Sequence, residues 1–387
     1  MDVDLAVIGC GGAGSLVLAA LQRRGVRGLR IAVIDPQEHR DRTWAFWTGA
    51  EDELDPVLES SWASVDLVGV ERRRRLALAP MRYAMVRSAP VFALAVQARE
   101  RLGARLVTSV VSGLVDDGSG VAVLDGDGKR IVRARWALDS RPAAPARPGR
   151  TSWLQHFRGW WVESPTAVFD PSAAVLMDFR TPQPARGVSF GYVLPTSATS
   201  ALVEYTEFSA ATLTDTAYDA ALRAYLTVLG ISGLSVHEVE NGAIPMTDAP
   251  FILRPSARVV RLGTAGGATR ASTGYTFSAM RRQADQIAGA LVRGKAPVPR
   301  APYPRRHRWM DAVALRAWDT GLVEAPEFYE RLFAANPSDR VLRFLDGLTT
   351  PLEEVALMAS TPLAAMTRAA AGDALARVRR GPMTGPG

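Results

Sequence analysis

A glycine-rich loop near the start of the chain is the feature that most restricts its fold. An apolar run over residues 5–8 leads into Gly9, Gly11 and Gly14, and a stretch with helical periodicity follows. This spacing between a strand and a helix is typical of a dinucleotide-binding fold. The first glycine permits a tight turn, the second lets backbone N–H groups approach a pyrophosphate, and the third lets the helix pack closely on the strand. Gly12 belongs to the same loop, and we predict that all four glycines contact a bound dinucleotide.

A second predicted strand strengthens the dinucleotide interpretation. Residues 29–34 are mostly apolar, and Asp35 follows them directly. In dinucleotide folds, an acidic residue at this distance from the glycine loop binds the ribose hydroxyls. We therefore predict that Asp35 contacts the nucleotide.

A third segment, over residues 259–291, again combines an apolar run, a glycine-rich turn and a long helical pattern. Flavoproteins with two nucleotide-binding segments return to the flavin through such a segment, with the helix N-terminus directed at the isoalloxazine ring. The pattern therefore favours FAD over NAD, and Gly263, Gly266 and Gly267 are the predicted contacts. Thr264 stands where many such proteins have an aspartate, and an ordinary strand–helix turn remains the alternative.

Turn-forming residues and a change in composition divide the chain. Asp/Gly-rich turns over residues 116–120 and 125–129 predict short antiparallel strands, because Asp and Gly tolerate positive φ. The Pro-, Ala- and Arg-rich residues 142–150 predict a linker. The predicted fold class is α/β, with a Rossmann-type dinucleotide-binding FAD domain, an inserted antiparallel-sheet substrate domain and a helical C-terminal part. The predicted boundaries are 1–148 and 255–297 for the FAD-binding domain, 149–254 for the substrate domain and 298–387 for the helical region.

A predicted β-hairpin in the middle of the chain carries an acidic residue in an unusual setting. Residues 187–210 form two alternating runs joined by the polar turn TSATS. In the second run, alternation places Leu202 and Glu204 on one face and Tyr205 and Glu207 on the other. Alternation does not tell which face contacts solvent. Glu204 is therefore either a surface charge or a buried acid.

Aromatic residues are dense just before this hairpin. Trp153, Trp160 and Trp161 are three of the nine tryptophans and lie within one short stretch. Such density is typical of a packed core. It is equally consistent with a large apolar pocket, whose aromatic faces stabilise a cation.

Charge and cysteine content indicate where the protein works. The net charge is +7, and two clusters, over residues 71–80 and 302–310, mix arginines with apolar or aromatic residues. This combination suits anionic lipid headgroups, and no nucleic-acid recognition motif accompanies the charge. The single cysteine, Cys10, excludes an internal disulfide and fits a reducing cytoplasm. We expect a cytoplasmic protein with no nucleic-acid partner and no spanning helix. We also expect no metal site, since its four histidines are scattered.

Taken in order, these segments resemble the flavin-dependent lycopene cyclases of carotenoid biosynthesis. The likeness extends over nearly the whole chain. The stretches that carry it are the glycine loop at 9–14, RTWAFW (42–47), LDSRP (138–142), LQHFRGWWVE (154–163), MDFR (177–180), YVLP (192–195), LVEYT (202–206), GAIPM (242–246) and TAGGATRASTGYTF (264–277).

The resemblance implies a fold similar to geranylgeranyl reductases and aromatic hydroxylases. It also implies a reaction that uses reduced FAD, regenerated with NAD(P)H, without net redox change: lycopene becomes γ-carotene and/or β-carotene. The essential acid of the family lies in a motif that reads Phe-Leu-Glu-Glu-Thr in plants, and Glu204 falls on its first glutamate. Tyr205 replaces the second glutamate, which leaves Glu204 as the single candidate acid.

The chemistry of ring closure sets a requirement for this acid. Lycopene has no polar handle, so cyclisation must start with protonation of a terminal double bond. The acid must stay protonated near neutral pH, which requires burial in an apolar pocket. The residues that could line this pocket are His156, Trp160, Tyr192, Tyr205 and Tyr275, with a purely structural role as the alternative for His156. Glu240 and the GAIPM stretch are expected to form a strand that returns toward the flavin.

The substrate also implies a location, because lycopene dissolves in bilayers and not in water. We expect peripheral association with the inner face of the cytoplasmic membrane, through the basic clusters or the helices predicted from about residue 301. A redox flavoenzyme on the same scaffold, a monooxygenase or prenyl reductase acting on a lipophilic polyene, is the alternative function. A lipid-binding protein without enzymatic activity is a third possibility.

Overall fold

The computed structural model of the chain describes residues 2–37 and 41–379, with side chains as far as residue 374. Its strands, in chain order, are β1 (Asp2–Ile8), β2 (Ile31–Ile34), β3 (Thr43–Thr48), β4 (Ser60–Trp62), β5 (Ser64–Val68), β6 (Arg73–Ala77), β7 (Arg82–Arg87), β8 (Arg105–Val107), β9 (Gly113–Asp116), β10 (Val121–Leu124), β11 (Arg130–Asp139), β12 (Ser152–Glu163), β13 (Ala173–Asp178), β14 (Val188–Pro195), β15 (Ser200–Ser209), β16 (Ser235–Thr247) and β17 (Val259–Arg261). Its helices are α1 (Gly12–Arg23), α2 (Ser88–Arg101), α3 (Asp215–Val228), α4 (Phe277–Val292), α5 (Arg305–Asp319), α6 (Ala325–Ala335), α7 (Ser338–Leu345), α8 (Pro351–Ala359) and α9 (Leu363–Arg379).

The first sheet has the strand order β8-β2-β1-β11-β10-β9, and β17 also pairs with β11. Strands β1, β2, β8, β11 and β17 run parallel. One face of this sheet packs against α1, α2 and α4 in a single apolar cluster, which includes Leu5, Leu18 and Ile287. A parallel sheet covered by helices buries its central strands on both faces, which explains the nearly continuous apolar run in β1. The predicted Rossmann-type domain is confirmed.

The two Asp/Gly-rich turns act as predicted. They join β9 to β10 and β10 to β11, and both strand pairs are antiparallel. Gly118 and Gly128 adopt φ values of 82° and 75°, which residues with a Cβ rarely adopt. This meander extends the parallel sheet on one side.

The second sheet is mostly antiparallel and has the order β16-β12-β15-β14-β13-β5-β6. Its central strands β12, β14 and β15 pair without a register shift, and β14 and β15 form the predicted hairpin. Strands β5 and β6 come from the range 1–148, and β5 pairs parallel with β13. The substrate sheet therefore also draws on residues before the predicted linker. The domain boundaries themselves remain predictions.

Both faces of β15 are buried, so neither contacts solvent. Leu202 and Phe208 share an apolar cluster with residues of α5 to α9, among them Leu315. Val203, on the opposite face, shares a cluster with Leu222 of α3. Helices on both sides therefore turn the substrate sheet into the middle layer of the molecule.

The remaining elements complete the fold around this layer. A small sheet, β3-β7-β4, lies beside the dinucleotide domain. The predicted helical C-terminal region is confirmed by α5 to α9, and residues 380–387 of it lie outside the described residues. In the described part of the chain, every helix is too short or too polar to cross a bilayer.

Candidate active site

The glycine loop between β1 and α1 has the geometry that a dinucleotide requires. Gly9 has a φ of 80°, in the left-handed region. A Cβ at Gly14 would overlap the carbonyl oxygen of Gly9, so helix and strand approach too closely for any side chain there. A Cβ added at Gly11 would have no atom within 4 Å, so there is open space at the N-terminus of α1. Such a helix terminus favours phosphate groups.

The return segment meets this loop in space. A Cβ at Gly263 would lie 3.2 Å from the Cβ of Ala13 and 3.4 Å from the sulfur of Met280. A Cβ at Gly12 would lie 3.5 Å from Met280 Cε. Two segments far apart in sequence thus converge on one place. This convergence favours the nucleotide interpretation over an ordinary strand–helix turn.

The other two glycines of the return segment shape its turn. Residues 263–266 form a short 3-10 helix that ends at Gly267, with a φ of 79°. A Cβ at Gly266 would overlap the carbonyl oxygen of Arg261. The chain then runs on to α4, which begins at Phe277.

Asp35 lies at the carboxyl end of β2, beside the glycine loop. It is only 2% exposed. One carboxylate oxygen accepts the backbone N–H of Cys10 and the other accepts that of Gln37, at 2.6 Å. These bonds fix the carboxylate at the edge where the sequence predicted a ribose contact.

Glu204 is buried in the middle of β15, with an exposed fraction of 7%. Its cross-strand neighbours are Tyr192 on β14 and Gly159 on β12. Thr206 Oγ1 donates a hydrogen bond to Glu204 Oε1 at 2.6 Å. Burial raises the pKa of Glu204 to about 8, and the charge of Glu240 adds to this effect. The carboxyl group is therefore protonated at neutral pH, as an acid catalyst requires.

Aromatic side chains surround this acid on the same face of the sheet. The hydroxyl groups of Tyr83 and Tyr192 lie 2.5 Å apart. The Trp47 ring centroid lies 4.6 Å from that of Tyr275 and 5.9 Å from that of Tyr83. Burial raises the pKa of Tyr192 and of Tyr275 well above the ordinary value, so both hydroxyl groups stay neutral. The structure thus places Tyr192 directly opposite Glu204, and Tyr275 joins the same aromatic group through Trp47.

Tyr83 was not predicted as a site residue. It lies in the run RYAMVR, which has no chemical signature beyond an ordinary strand pattern. Its position follows only from the pairing of β7 with β3, which places Tyr83 opposite Trp47.

Three of the predicted lining residues lie on the opposite face. His156 pairs with Glu207 and Trp160 with Val203, so both face away from Glu204, as Tyr205 does by alternation along β15. The prediction that these three line its pocket is wrong, because register fixes the face. They pack toward α3 instead.

His156 has the structural role that was the alternative. Its ring nitrogens bond Ser209 Oγ at 2.8 Å and the Tyr218 hydroxyl at 2.6 Å. Burial lowers its pKa, so the ring is neutral.

A second buried glutamate, Glu240, completes the row across three strands. It lies on β16 directly opposite Gly159, which in turn lies opposite Glu204. Thr43 Oγ1 donates to Glu240 Oε2 at 2.9 Å. The next residue, Trp44, lies against Gly12: a Cβ there would be 2.9 Å from the indole ring. Strand β3 therefore connects the carboxyl groups to the nucleotide loop.

Two cavities lie elsewhere in the structure. One, of about 580 Å³, lies between residues 147–150, the return segment around Gly267, and the first turns of α5. The other, of about 450 Å³, lies on the α3 side of the substrate sheet. Glu204 lines neither of them. Among the described residues there is also no cluster of acidic, histidine and cysteine side chains that could hold a metal ion.

The fold and site define a class of protein: a two-segment dinucleotide-binding domain joined to a substrate sheet that buries an acid. Solved structures with this fold include a geranylgeranyl bacteriochlorophyll reductase-like protein from Thermoplasma acidophilum, with a TM-score of 0.66, 12% identity and coverage of 95% of this chain and 98% of that one. The flavin-dependent brominase Bmp2 has a TM-score of 0.60, with 16% identity and coverage of 99% and 100%. The flavin-dependent monooxygenase PieE, solved with FAD and substrate, has a TM-score of 0.59, with 15% identity and coverage of 96% and 72%.

The family described as lycopene cyclase protein matches residues 4–371. The chain therefore belongs to the lycopene cyclase family.

Proposed function

We propose that this protein is a lycopene β-cyclase, an intramolecular lyase that converts lycopene to γ-carotene and/or β-carotene with reduced FAD and no net redox change. The observation that carries the proposal is Glu204, a carboxyl group that burial keeps protonated, on the sheet face that meets the return segment. Family membership supports the same substrate class.

The residues present fit FAD. The open space at Gly11 and the fixed carboxylate of Asp35 would hold its pyrophosphate and ribose, and the turn at Gly263, Gly266 and Gly267 would hold the flavin end. Three buried polar atoms near the sheet face have no hydrogen-bond partner among the described residues: Trp47 Nε1, Gln155 Oε1 and Trp161 Nε1. Buried polar atoms are ordinarily paired, which supports a bound polar group here. When bound and reduced by NAD(P)H, FAD would supply negative charge that stabilises a carbocation.

The protein's own residues would carry the proton chemistry. Glu204 donates its proton to the terminal 1,2 double bond of lycopene, and the 5,6 double bond closes the ring onto the resulting cation. Loss of a ring proton gives the β-ring. Tyr83 lies close enough to Glu204 to sense its charge, and Trp47 packs against both Tyr83 and Tyr275. A desolvated cation–π contact with such a ring stabilises a cation by about 2 kcal/mol. The packed surroundings of Glu204 exclude the water that would otherwise trap the cation.

Expression in lycopene-accumulating cells, followed by pigment chromatography, tests the proposal. We expect γ-carotene or β-carotene to appear. Unchanged lycopene would refute the cyclase assignment. A hydroxylated or saturated product would instead support the alternative, a monooxygenase or prenyl reductase.

We also propose that the protein contacts the inner face of the cytoplasmic membrane through the first turns of α5 and through α8. Arg305, Arg308 and Trp309 share one face of α5, and Trp309 is 43% exposed. On α8, Leu352 and Val355 are 85% and 68% exposed and also share a face. The two helices are joined by an ion pair between Arg306 and Glu354, at 2.9 Å. Exposed apolar residues beside basic residues suit an anionic bilayer.

The other basic cluster, over residues 71–80, supports membrane contact less well. Arg73 and Arg75 both bind Asp66, at 2.5 and 2.8 Å, and Arg75 also binds Asp170. These ion pairs bind two of the four consecutive arginines to carboxylates of the protein itself, which makes them less available to lipid headgroups. The contact proposed here therefore rests on α5 and α8.

A further inference from the structure

Gly159 separates two buried carboxyl groups that come from different strands. A Cβ at this position would lie 3.5 Å from Glu204 Oε2 and 3.4 Å from Glu240 Cγ. Both glutamates thus reach toward the one position in the row that has no side chain. The glycine on the central strand β12 leaves a gap that the Glu204 carboxyl group borders on one side and the Glu240 side chain borders on the other.

The two carboxyl groups are shielded from water and have no directly bonded cation among the described residues. Glu204 is 7% exposed and Glu240 is 6% exposed. Among the described residues, no arginine, lysine or histidine forms an ion pair with either of them. The charges of Arg87 and Arg42 lower the pKa of Glu240, but burial outweighs them. Arg87 binds both oxygens of Glu238 at 2.7 Å, and Arg42 binds the carbonyl oxygen of Asn241.

Two carboxylates in such a setting cannot both be charged at neutral pH. Burial disfavours each charge, and each charge disfavours the other, so one proton stays on the pair. The pKa values of both groups are raised, chiefly by burial. The groups that face Glu204 from neighbouring elements, Tyr83, Tyr192 and Tyr275, are neutral.

We propose that Glu204 and Glu240 form a catalytic carboxyl pair that shares one proton, in which Glu204 is the acid and Glu240 is the base. This proposal rests on the proposed cyclase function. It departs from the expectation that the replacement by Tyr205 leaves Glu204 as the single candidate acid, because it takes the second acid from another strand.

In the proposed reaction, this pair both donates the proton that starts cyclisation and accepts the proton that is released at the end. The O–H bond of Glu204 breaks as a C–H bond forms at C2, and the electrons of the 5,6 double bond form the C1–C6 bond. The cation then lies at C5. The C6–H bond breaks, its electrons form the new 5,6 double bond, and the proton goes to Glu240. Transfer from Glu240 to Glu204 across Gly159 restores the starting state, so the cycle needs no oxidant or net proton.

The variant Glu240→Gln tests the role of the base. It keeps the shape of the side chain and an oxygen for the Thr43 hydroxyl, but it cannot accept a proton. We expect the cyclisation rate to fall at least ~100-fold, the lower range for a general base. Removing the like charge beside Glu204 also lowers the pKa of Glu204, so the alkaline limb of the remaining activity should move to lower pH. A purely structural role would not move this limb.

The matched control is Glu238→Gln. Glu238 lies on the same strand and face, but it is paired with Arg87 and its side chain is 38% exposed. The same chemical change there removes no proton acceptor from the pair and should leave the rate close to that of the unchanged protein. The assay uses the full chain with reduced FAD, lycopene-containing liposomes and pigment chromatography across a series of pH values.

A second variant covers the case in which Glu240→Gln fails to fold. Gly159→Ala places a methyl group between the Glu204 carboxyl group and the Glu240 side chain and keeps both glutamates. Its closest contact would be the flexible end of Leu202, at 2.9 Å, which can move aside. We expect at least a tenfold loss of cyclisation with bound flavin retained.

The outcomes distinguish a failure of the proposed carboxyl pair from a failure of the proposed cyclase function. If the unchanged protein forms no cyclic carotenoid, the proposed function fails. If the unchanged protein cyclises lycopene and Glu240→Gln or Gly159→Ala does so at the same rate with the same pH profile, the carboxyl pair is refuted while the cyclase assignment stands.

Discussion

Glu204 and Glu207 show how the face of a strand decides what a buried glutamate can do. Both are buried on β15 and they lie three residues apart. Glu204 meets neutral tyrosines and a second carboxyl group. Glu207 accepts a hydrogen bond from the Tyr205 hydroxyl at 3.0 Å and lies 3.8 Å from His156 Nε2, on the α3 side. Only the first glutamate faces the return segment.

This difference predicts the outcome of a pair of matched variants. Glu204→Gln removes the transferable proton, so we expect no detectable cyclisation, with bound flavin unchanged in its absorbance spectrum. Glu207→Gln changes an equally buried glutamate on the other face and should keep at least half of the activity. Full activity of Glu204→Gln would remove Glu204 from the mechanism.

The raised pKa of Glu204 also predicts how stability depends on pH. Between about 4.5 and 8, the folded protein holds a proton on Glu204 that the unfolded chain releases. Stability therefore falls as pH rises through this window. Glu204→Gln should have nearly unchanged stability at pH 5 and should be more stable than the unchanged protein at pH 8.5, by on the order of 4 kcal/mol. Thermal unfolding at the two pH values measures this, and an equal difference at both would contradict the pKa assignment.

At the scale of single residues, the sequence identified Glu204 through the family motif, but alternation did not decide its burial. Burial depends on α3 and on α5 to α9, which pack against the two faces from distant parts of the chain. Glu240 was predicted only as part of a strand. Its role follows from the non-sequential order β16-β12-β15, which local patterns do not encode.

At the scale of elements, two glycine-to-alanine variants of the β1–α1 turn distinguish an effect on protein stability from an effect on flavin binding. Gly14→Ala would clash with the Gly9 carbonyl and force helix and strand apart. We expect a loss of stability of about 3 kcal/mol, in the range of overpacked sites, together with a loss of flavin. Denaturant unfolding and flavin absorbance measure the two effects.

Gly11→Ala should have a different result. Its methyl group would enter open space, so the protein should fold with nearly unchanged stability. The same space is where the pyrophosphate is proposed to lie, so flavin affinity should fall at least ~10-fold. Gly126→Ala, in an exposed turn with no atom near its would-be Cβ, is the control for both variants. Normal flavin binding by Gly11→Ala would contradict the proposed pyrophosphate site.

The elements themselves were largely predictable, because glycine spacing, turn residues and alternation are local signals. The dinucleotide strands, the β14–β15 hairpin and the C-terminal helices all follow them. The entry of β5 and β6 into the substrate sheet was not predictable, since the pairing of β5 with β13 spans about a hundred residues of chain and has no sequence signature. The same holds for the faces of His156 and Trp160, which register decides.

At the scale of the whole molecule, the proposed membrane contact predicts a dependence on anionic lipid. The double variant Arg305→Glu and Arg308→Glu should bind anionic vesicles at least ~30-fold more weakly, since each arginine contributes about 1 kcal/mol near such a surface. Vesicle co-sedimentation measures this. Arg27→Glu with Arg101→Glu, an equal charge change at exposed positions of the dinucleotide domain, should bind nearly normally. Equal loss in both double variants would show that only net charge matters.

The central claim is that this chain cyclises lycopene by acid catalysis with reduced FAD and no net redox change. The most direct measurement is a reaction of the purified full chain with FAD and lycopene-containing liposomes, with the flavin either oxidised or chemically reduced, followed by pigment chromatography. We expect γ-carotene or β-carotene only with reduced flavin, and a flavin that is still reduced afterwards. Unchanged lycopene under reducing conditions, or a product whose formation oxidises one flavin per turnover, would contradict this claim.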